Sequence, residues 1–156
     1  MSRFKLPIVA HVFLLRSDSV LLARRHGTGF EDGKYGPVGG HLDGGEPATA
    51  AAARECREEV GIELAPADLR FLGVVHYDSP EGEGIDLFFA CSRWAGEPRP
   101  VADCDELCWC PLNELPERTI PFVRRAIEHH LLGGDPFDED GWERGPLAQA
   151  AVTDTR

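Results

Sequence analysis

The stretch Gly39–Glu63, GGHLDGGEPATAAAARECREEVGIE, constrains the fold more than any other part of this sequence. Its glycines Gly39, Gly40, Gly44 and Gly45 predict a sharply turning loop whose backbone can approach a ligand closely. Glu46-Pro47 then opens a helix, because proline at an early helical position gives up no hydrogen bond. Gly61 closes it, as a residue free to adopt the left-handed conformation. Wound at about 3.6 residues per turn, residues 47–60 place Thr49, Ala52, Ala53, Cys56 and Val60 on one small-residue face, suited to close packing on a sheet. Glu55, Glu58 and Glu59 share an adjoining arc of roughly 100°. Ala48 and Ala51, one turn earlier on that arc, predict open space above the acids.

That arc is electrostatically costly. A solvated helix face normally interleaves charges of opposite sign four residues apart. Here Glu55, Glu59 and Glu63 form a row of like charge, each neighbour costing about 0.2–0.5 kcal/mol. Glu58 and Glu59 also sit near the negative end of the helix dipole, at about 0.3–1 kcal/mol each. Only Glu58 has a helical partner, Arg54. The two penalties, beside a glycine loop, predict a bound cation. Oxygen-only ligands suit Mg²⁺, with Mn²⁺ as a substitute, rather than zinc. Loop carbonyls can complete such a shell, and loop N–H groups can face phosphate oxygens. The chemistry indicated is metal-assisted cleavage of a phosphate ester or anhydride.

Around this segment, Pro7–Leu15 and Ser19–Arg25 read as two strands joined by a tight Ser17-Asp18 turn. Residues 70–77, 85–94 and 107–110 read as further strands, with SPEGEG as an acidic loop between the first two. Residues 121–132 have helical periodicity, with Phe122, Ala126, Ile127 and His130 or Leu131 turned inward, and Gly133-Gly134 ends them. Strands and helices in this order predict an α/β protein, a mixed sheet with helices packed on it. Residues 1–134 are expected to form one domain. Residues 135–156 are expected to form an acidic tail, partly ordered or flexible, anchored by Phe137 or Trp142. The tail's DPFDEDGWERG lacks the first and last ligands of a calcium loop, since Pro136 and Leu147 stand there.

The chain has 156 residues and a net charge of −11, to which the stretch 133–156 contributes six acids against two arginines. An acidic chain without a basic stripe is a poor binder of duplex nucleic acid. No apolar run is long enough to span a bilayer, and the N-terminal run, interrupted by His11, makes a poor signal peptide. A cytoplasmic protein is expected. Its five cysteines, Cys56, Cys91, Cys104, Cys108 and Cys110, are then expected to be free thiols, and C-x3-C-x-C is not a usual zinc spacing.

Residues 40–62 resemble the Nudix box, G-x5-E-x7-R-E-U-x-E-E-x-G-U, where U is a bulky aliphatic residue. Gly40, Glu46, Arg54, Glu55, Glu58, Glu59, Gly61 and Ile62 match; the departure is Cys56 at an aliphatic position on the buried face. KYGPVGGHLDGGE and IDLFFACSRWAGEP are also similar to segments of small MutT-type Nudix proteins. The resemblance implies a Nudix α/β/α sandwich that hydrolyses a nucleoside diphosphate linked to another group, with Mg²⁺. It implies Glu58 and Glu59 as metal ligands, Glu55 as a further ligand or the water-activating base, and the Gly39 carbonyl as an extra ligand. Arg54 would orient a neighbouring glutamate, and Glu46 would brace loop and helix. Glu106 is the first candidate for an acid outside the box, with Asp103 and Asp105 as rivals and Glu81 or Glu83 as a base reaching in. One of Arg24 and Arg25, which face opposite ways on a strand, is expected to meet a phosphate. His41 is open between loop packing and substrate contact, while Tyr35 and Phe88 are expected in core roles. The expected ligand is a nucleotide or nucleoside diphosphate derivative, and a homodimer is compatible with the chain. A nucleoside triphosphate pyrophosphohydrolase is the leading expectation. The alternatives are an ADP-ribose or other dinucleotide-type pyrophosphatase, and a non-catalytic nucleotide-binding module.

Overall fold

A computed structural model describes residues 1–144. The strands in chain order are β1 (Ile8–Arg16), β2 (Ser19–Arg25), β3 (Tyr35–Gly36), β4 (Val38–His41), β5 (Arg70–Ser79), β6 (Gly82–Cys91), β7 (Cys104–Pro111) and β8 (Phe137–Asp140). Helix α1 covers Ala48–Val60, and α2 covers Pro121–Ala126 before continuing as a π-helical turn over Ile127–Leu132.

β1 is the spine of a mixed sheet. It runs parallel to β6 and antiparallel to β4, and meets β2 only at their shared turn, through Leu15 and Arg16. β2 then leaves β1 to pair with β7 and β3. The β5–β6 hairpin completes the other side.

Alternation along the strands builds two cores. Ala10, Val12 and Leu14 of β1 and Phe89 and Cys91 of β6 pack with Ala52, Cys56 and Val60 of α1. Phe13 of β1 and Phe88 and Ala90 of β6 face the other way, against Val123, Ala126 and Ile127. With a helix on each face, this is an α/β/α sandwich with a mixed sheet in the middle.

α1 starts at Ala48, with Pro47 as its N-cap. Gly61 ends it at φ +71°; its N–H donates to the Arg57 carbonyl (3.1 Å), and that of Ile62 to the Cys56 carbonyl (3.5 Å). The Gly61 bond is that of the αL cap motif, which a Cβ at this φ would strain. The buried face is rotated from the helical wheel: Ala51 and Glu55 are buried, while Thr49 and Ala53 are only partly so. Ala51 therefore leaves no open space above the acids. In α2, Val123 rather than Phe122 enters the core.

Several boundaries are corrected by pairing. SPEGEG is not a loop: β5 runs to Ser79 and β6 begins at Gly82, with Tyr77 opposite Gly84 and Asp78 opposite Glu83. β6 ends at Cys91, short of Trp94, and β7 begins at Cys104. Phe137–Asp140, within the stretch set apart as a tail, adds to β5 as a parallel strand. Trp142 secures its end by donating its indole N–H to the His76 carbonyl (2.9 Å), whereas Phe137 is exposed. The rest of the tail, 145–156, lies outside the described residues. Cys56, Cys91 and Cys104 are free thiols, but Cys108 and Cys110 are joined in a disulfide. They share one face of β7 with Cα atoms 5.6 Å apart, within disulfide reach. No described helix is long and apolar enough to cross a membrane.

Candidate active site

Arg54 ties the glycine loop to α1. Its Nε and Nη2 fork onto Glu46 (3.1 and 2.7 Å), and Nη2 also donates to the His41 carbonyl at 3.2 Å. Nη1 reaches Glu55 at 2.9 Å and Glu58 at 3.2 Å. Glu46 in turn accepts the Asp43 N–H at 2.8 Å. The guanidinium thereby lowers the Glu46 pKa, and its own rises, chiefly through Glu46. A planar fork with several donors is what such bridging requires; lysine offers no such geometry.

Glu59 is placed differently. Its carboxylate accepts one bond, from the Gly39 N–H at 3.1 Å, and no described Lys or Arg is bonded to it. Burial pushes its pKa up to about 8, with Glu55 and Asp103 adding to the rise and Gly39 and Arg25 opposing it. Glu55 is 9% exposed, and burial raises its pKa too, against Arg54. A Cβ at Gly40 would run into the Glu55 carboxylate, so glycine there is a packing requirement. Gly39 and Gly40 each touch one of the buried acids.

Among the described residues, no group of three or more His, Cys, Asp or Glu converges closely enough to hold a metal as the side chains stand. Arg54 engages Glu55 and Glu58. The donor set nevertheless fits a hard divalent cation. Every candidate ligand atom is oxygen, and Glu59 is a half-buried carboxylate with no bonded cationic side chain. A cation would share Glu58 with Arg54.

The same glycines line a cavity of about 430 Å³, together with Arg25 and His41. Of the two adjacent arginines, Arg25 faces it, held by the Phe30 carbonyl (2.7 Å) and Thr28 Oγ1 (3.0 Å). Arg24 turns to Asp105 (2.7 Å) and Glu106 (2.9 Å). Glu106 also accepts the Tyr35 hydroxyl at 2.6 Å. The acid outside the box whose charge raises both Glu55 and Glu59 is Asp103, not Glu106. Glu83 pairs with His76 at 3.3 Å, while Glu81 lines the cavity. His41 is exposed at the rim and its carbonyl serves Arg54, so both of its expected roles have a basis. Phe88 is fully buried, as expected.

The sequence reading gave no site role to His11, Asp86, Phe122 or Arg125, all of which line this cavity. A signal existed for two of them. His11 and Asp86 are polar residues with apolar neighbours on either side in their strands, on the inward side of the alternation.

This loop–helix with its buried acids, set in an α/β/α sandwich, is the frame of a known family. Residues 5–130 match the NUDIX domain, so the chain belongs to the Nudix family. Over 122 residues it is 34% identical to the NAD-capped RNA hydrolase NudC of Pseudomonas aeruginosa, covering 78% of this chain and 41% of that protein. The chain thus spans about two fifths of the length of that relative. It is 29% identical over 94 residues to the 8-oxo-dGTP diphosphatase of Escherichia coli, covering 60% of this chain and 71% of the relative. Its structure resembles the MutT NUDIX hydrolase from Burkholderia pseudomallei, with a TM-score of 0.73 and 28% identity over 80% of this chain and 98% of that one. Nudix hydrolases generally use divalent metal ions.

Proposed function

We propose that this chain is a Mg²⁺-dependent hydrolase of a phosphoanhydride bond in a nucleotide, acting as a nucleoside triphosphate pyrophosphohydrolase. The observation that carries this reading is Glu59: a half-buried carboxylate with no bonded cationic side chain, itself bonded to a glycine that lines a nucleotide-sized cavity. Two relatives support different parts of it: one is named an 8-oxo-dGTP diphosphatase, the other an NAD-capped RNA hydrolase.

Glu58 and Glu59 would hold the metal, with the Gly39 carbonyl as a further ligand, Glu55 kept as the base, and Asp103, whose charge acts on both Glu55 and Glu59, as the outer acid in preference to Glu106. When bound, Mg²⁺ would neutralise the diphosphate and lower the pKa of the attacking water. The chain's residues do the rest. Arg54 fixes the angle of Glu55 and Glu58. Arg25 meets the anionic end of the substrate. Glu55, with its pKa raised by burial, takes the proton of the attacking water. The new bond joins the water oxygen to phosphorus, and the bridging P–O bond breaks. A nucleoside monophosphate and pyrophosphate leave. Positioning and charge stabilisation supply most of the rate.

Glu58→Gln and Glu55→Gln are each expected to lower Mg²⁺-dependent turnover by about 10²–10⁴-fold while the fold, read by circular dichroism, is retained. Product identification across a nucleotide panel tests the reading. Near wild-type turnover in both variants would overturn the site. Preferential cleavage of ADP-ribose or dinucleotides would support a pyrophosphatase of that type instead, and silence of folded protein across the panel a binding module.

A further inference from the structure

Beside the glycine strand, the cavity carries a buried pair that the hydrolytic chemistry does not use: His11, directly across from Gly39, and Asp86, one strand further on. His11 of β1 and Asp86 of β6 are 9% and 8% exposed, and both face the cavity. His11 Nε2 approaches Asp86 Oδ1 to 3.2 Å. The ring is not aimed along a hydrogen bond, however, and Nε2 is left without a partner. The ring is held instead by stacking on Phe88 (centroids 4.9 Å apart, planes at 17°) and by Phe122 at 5.7 Å. Two other cavity acids are neutralised: Arg125 forks onto Asp138 (2.6 and 2.8 Å) and reaches Asp140 at 3.3 Å. No Lys or Arg pairs with Asp86 among the described residues. A buried carboxylate without a full set of donors is costly and calls for N–H groups from elsewhere.

β1 lies between β4 and β6, with Val9 opposite His41 on one side and Asp86 on the other. Asp86 is therefore two strand spacings from β4, and with one or two residues of offset roughly 10–12 Å from Gly40 and Gly39, where phosphates would lie. One nucleoside bridges such a separation. Val9 lies between Asp86 and β4, and Val75, Ile120 and Phe122 add further apolar lining.

We propose that Asp86, beside His11, reads the base of the substrate and selects a guanine-type edge. A carboxylate only accepts hydrogen bonds. Guanine presents two adjacent donors, N1–H and the 2-amino group, which one carboxylate accepts together. Adenine and cytosine each set a ring acceptor beside their amino donor, and uracil flanks its single N–H with carbonyl oxygens. Each of these meets Asp86 with at least one lone pair facing a lone pair. Phe122 and the apolar wall receive the face of the ring. The base edge thus goes to Asp86 and the phosphates to Gly39, Gly40 and Arg25.

This inference rests on the nucleotide hydrolase reading for its place in the reaction, but its test does not need turnover. Calorimetric binding of GMP, IMP, AMP, CMP and UMP to the metal-free chain should rank GMP first, AMP weaker by about tenfold or more, and IMP between them. Asp86→Asn replaces one acceptor by a donor, which matches the adenine edge. In that variant the GMP preference should vanish and AMP should bind better than in the wild type. Equal binding of all five by the wild type, no binding of any, or a ranking unchanged in a folded Asp86→Asn variant would overturn the proposal. Should that variant not fold, by its melting curve, the wild-type ranking decides alone. Hydrolysis of the five triphosphates measured in parallel separates the two readings. Selective binding without cleavage removes the hydrolase and leaves the base reader; cleavage without selection does the reverse.

Discussion

Glu59 shows the conflict between position and charge most clearly at the scale of single residues. Its pKa stands at about 8 in the fold, above the ordinary glutamate value of 4.5. A raised carboxylate favours folding fully below its unfolded pKa, and the advantage is lost as pH rises through the folded one. Metal-free protein should therefore lose stability between about pH 4.5 and 8 on account of this group. Glu59→Gln should be more stable than wild type by about 1–3 kcal/mol at about pH 9 without metal, and should lose much of the Mg²⁺-induced rise in Tm, both read by thermal melts. Gly40→Ala tests the neighbouring contact. Its Cβ would displace the Glu55 carboxylate, so turnover should fall by about tenfold or more, with a smaller change in Tm. The Nudix box made Gly40 and Glu55 legible as separate positions. That they touch was not, because loop and helix meet only through the turn of the chain between them.

At the scale of elements, local chemistry was legible and distant pairing was not. Gly61 closes α1 as the sequence indicates, since a helix stop is written within a few residues. Gly61→Ala should cost about 1 kcal/mol in denaturant unfolding, more if Arg99, which crowds the same space, cannot shift. β8 is the opposite case. Phe137–Asp140 reads as an acidic stretch, and only β5, some sixty residues earlier, makes it a strand. Its acids are consistent with an edge position once Arg125 holds Asp138, whose pKa the guanidinium lowers. A lowered carboxylate contributes stability above its unfolded pKa and loses it as pH falls through the folded one. Protection of β8 amides from hydrogen exchange should therefore weaken selectively once pH drops below about 4. Asp138→Ala should reproduce the loss at neutral pH, at about 1–2 kcal/mol. The Cys108–Cys110 link was missed for a related reason. Alternation puts both side chains on one face, but nothing local says that they join.

At the scale of the whole molecule, a mixed sheet with helices packed on it followed from the order of strands and helices, and the α/β/α sandwich and the acidic half of the candidate site from the resemblance to the Nudix box. The cavity was hidden, because its walls come from β1, β5, β6 and α2, which no single motif spans. His11 and Asp86 acquire meaning only when two strands distant in sequence lie side by side in parallel. The two packed cores on opposite faces of the sheet have a further consequence. α1 with its acids belongs to one core, and α2 with the far wall of the cavity to the other. The strip Gly39-Gly40, without side chains, is where the acid-bearing layer and the cavity meet. A lineage can therefore redraw the far wall of the cavity without disturbing the layer that carries the acids. Its sequence drift should gather on β6 and α2, while α1 and the glycine strip stay nearly still.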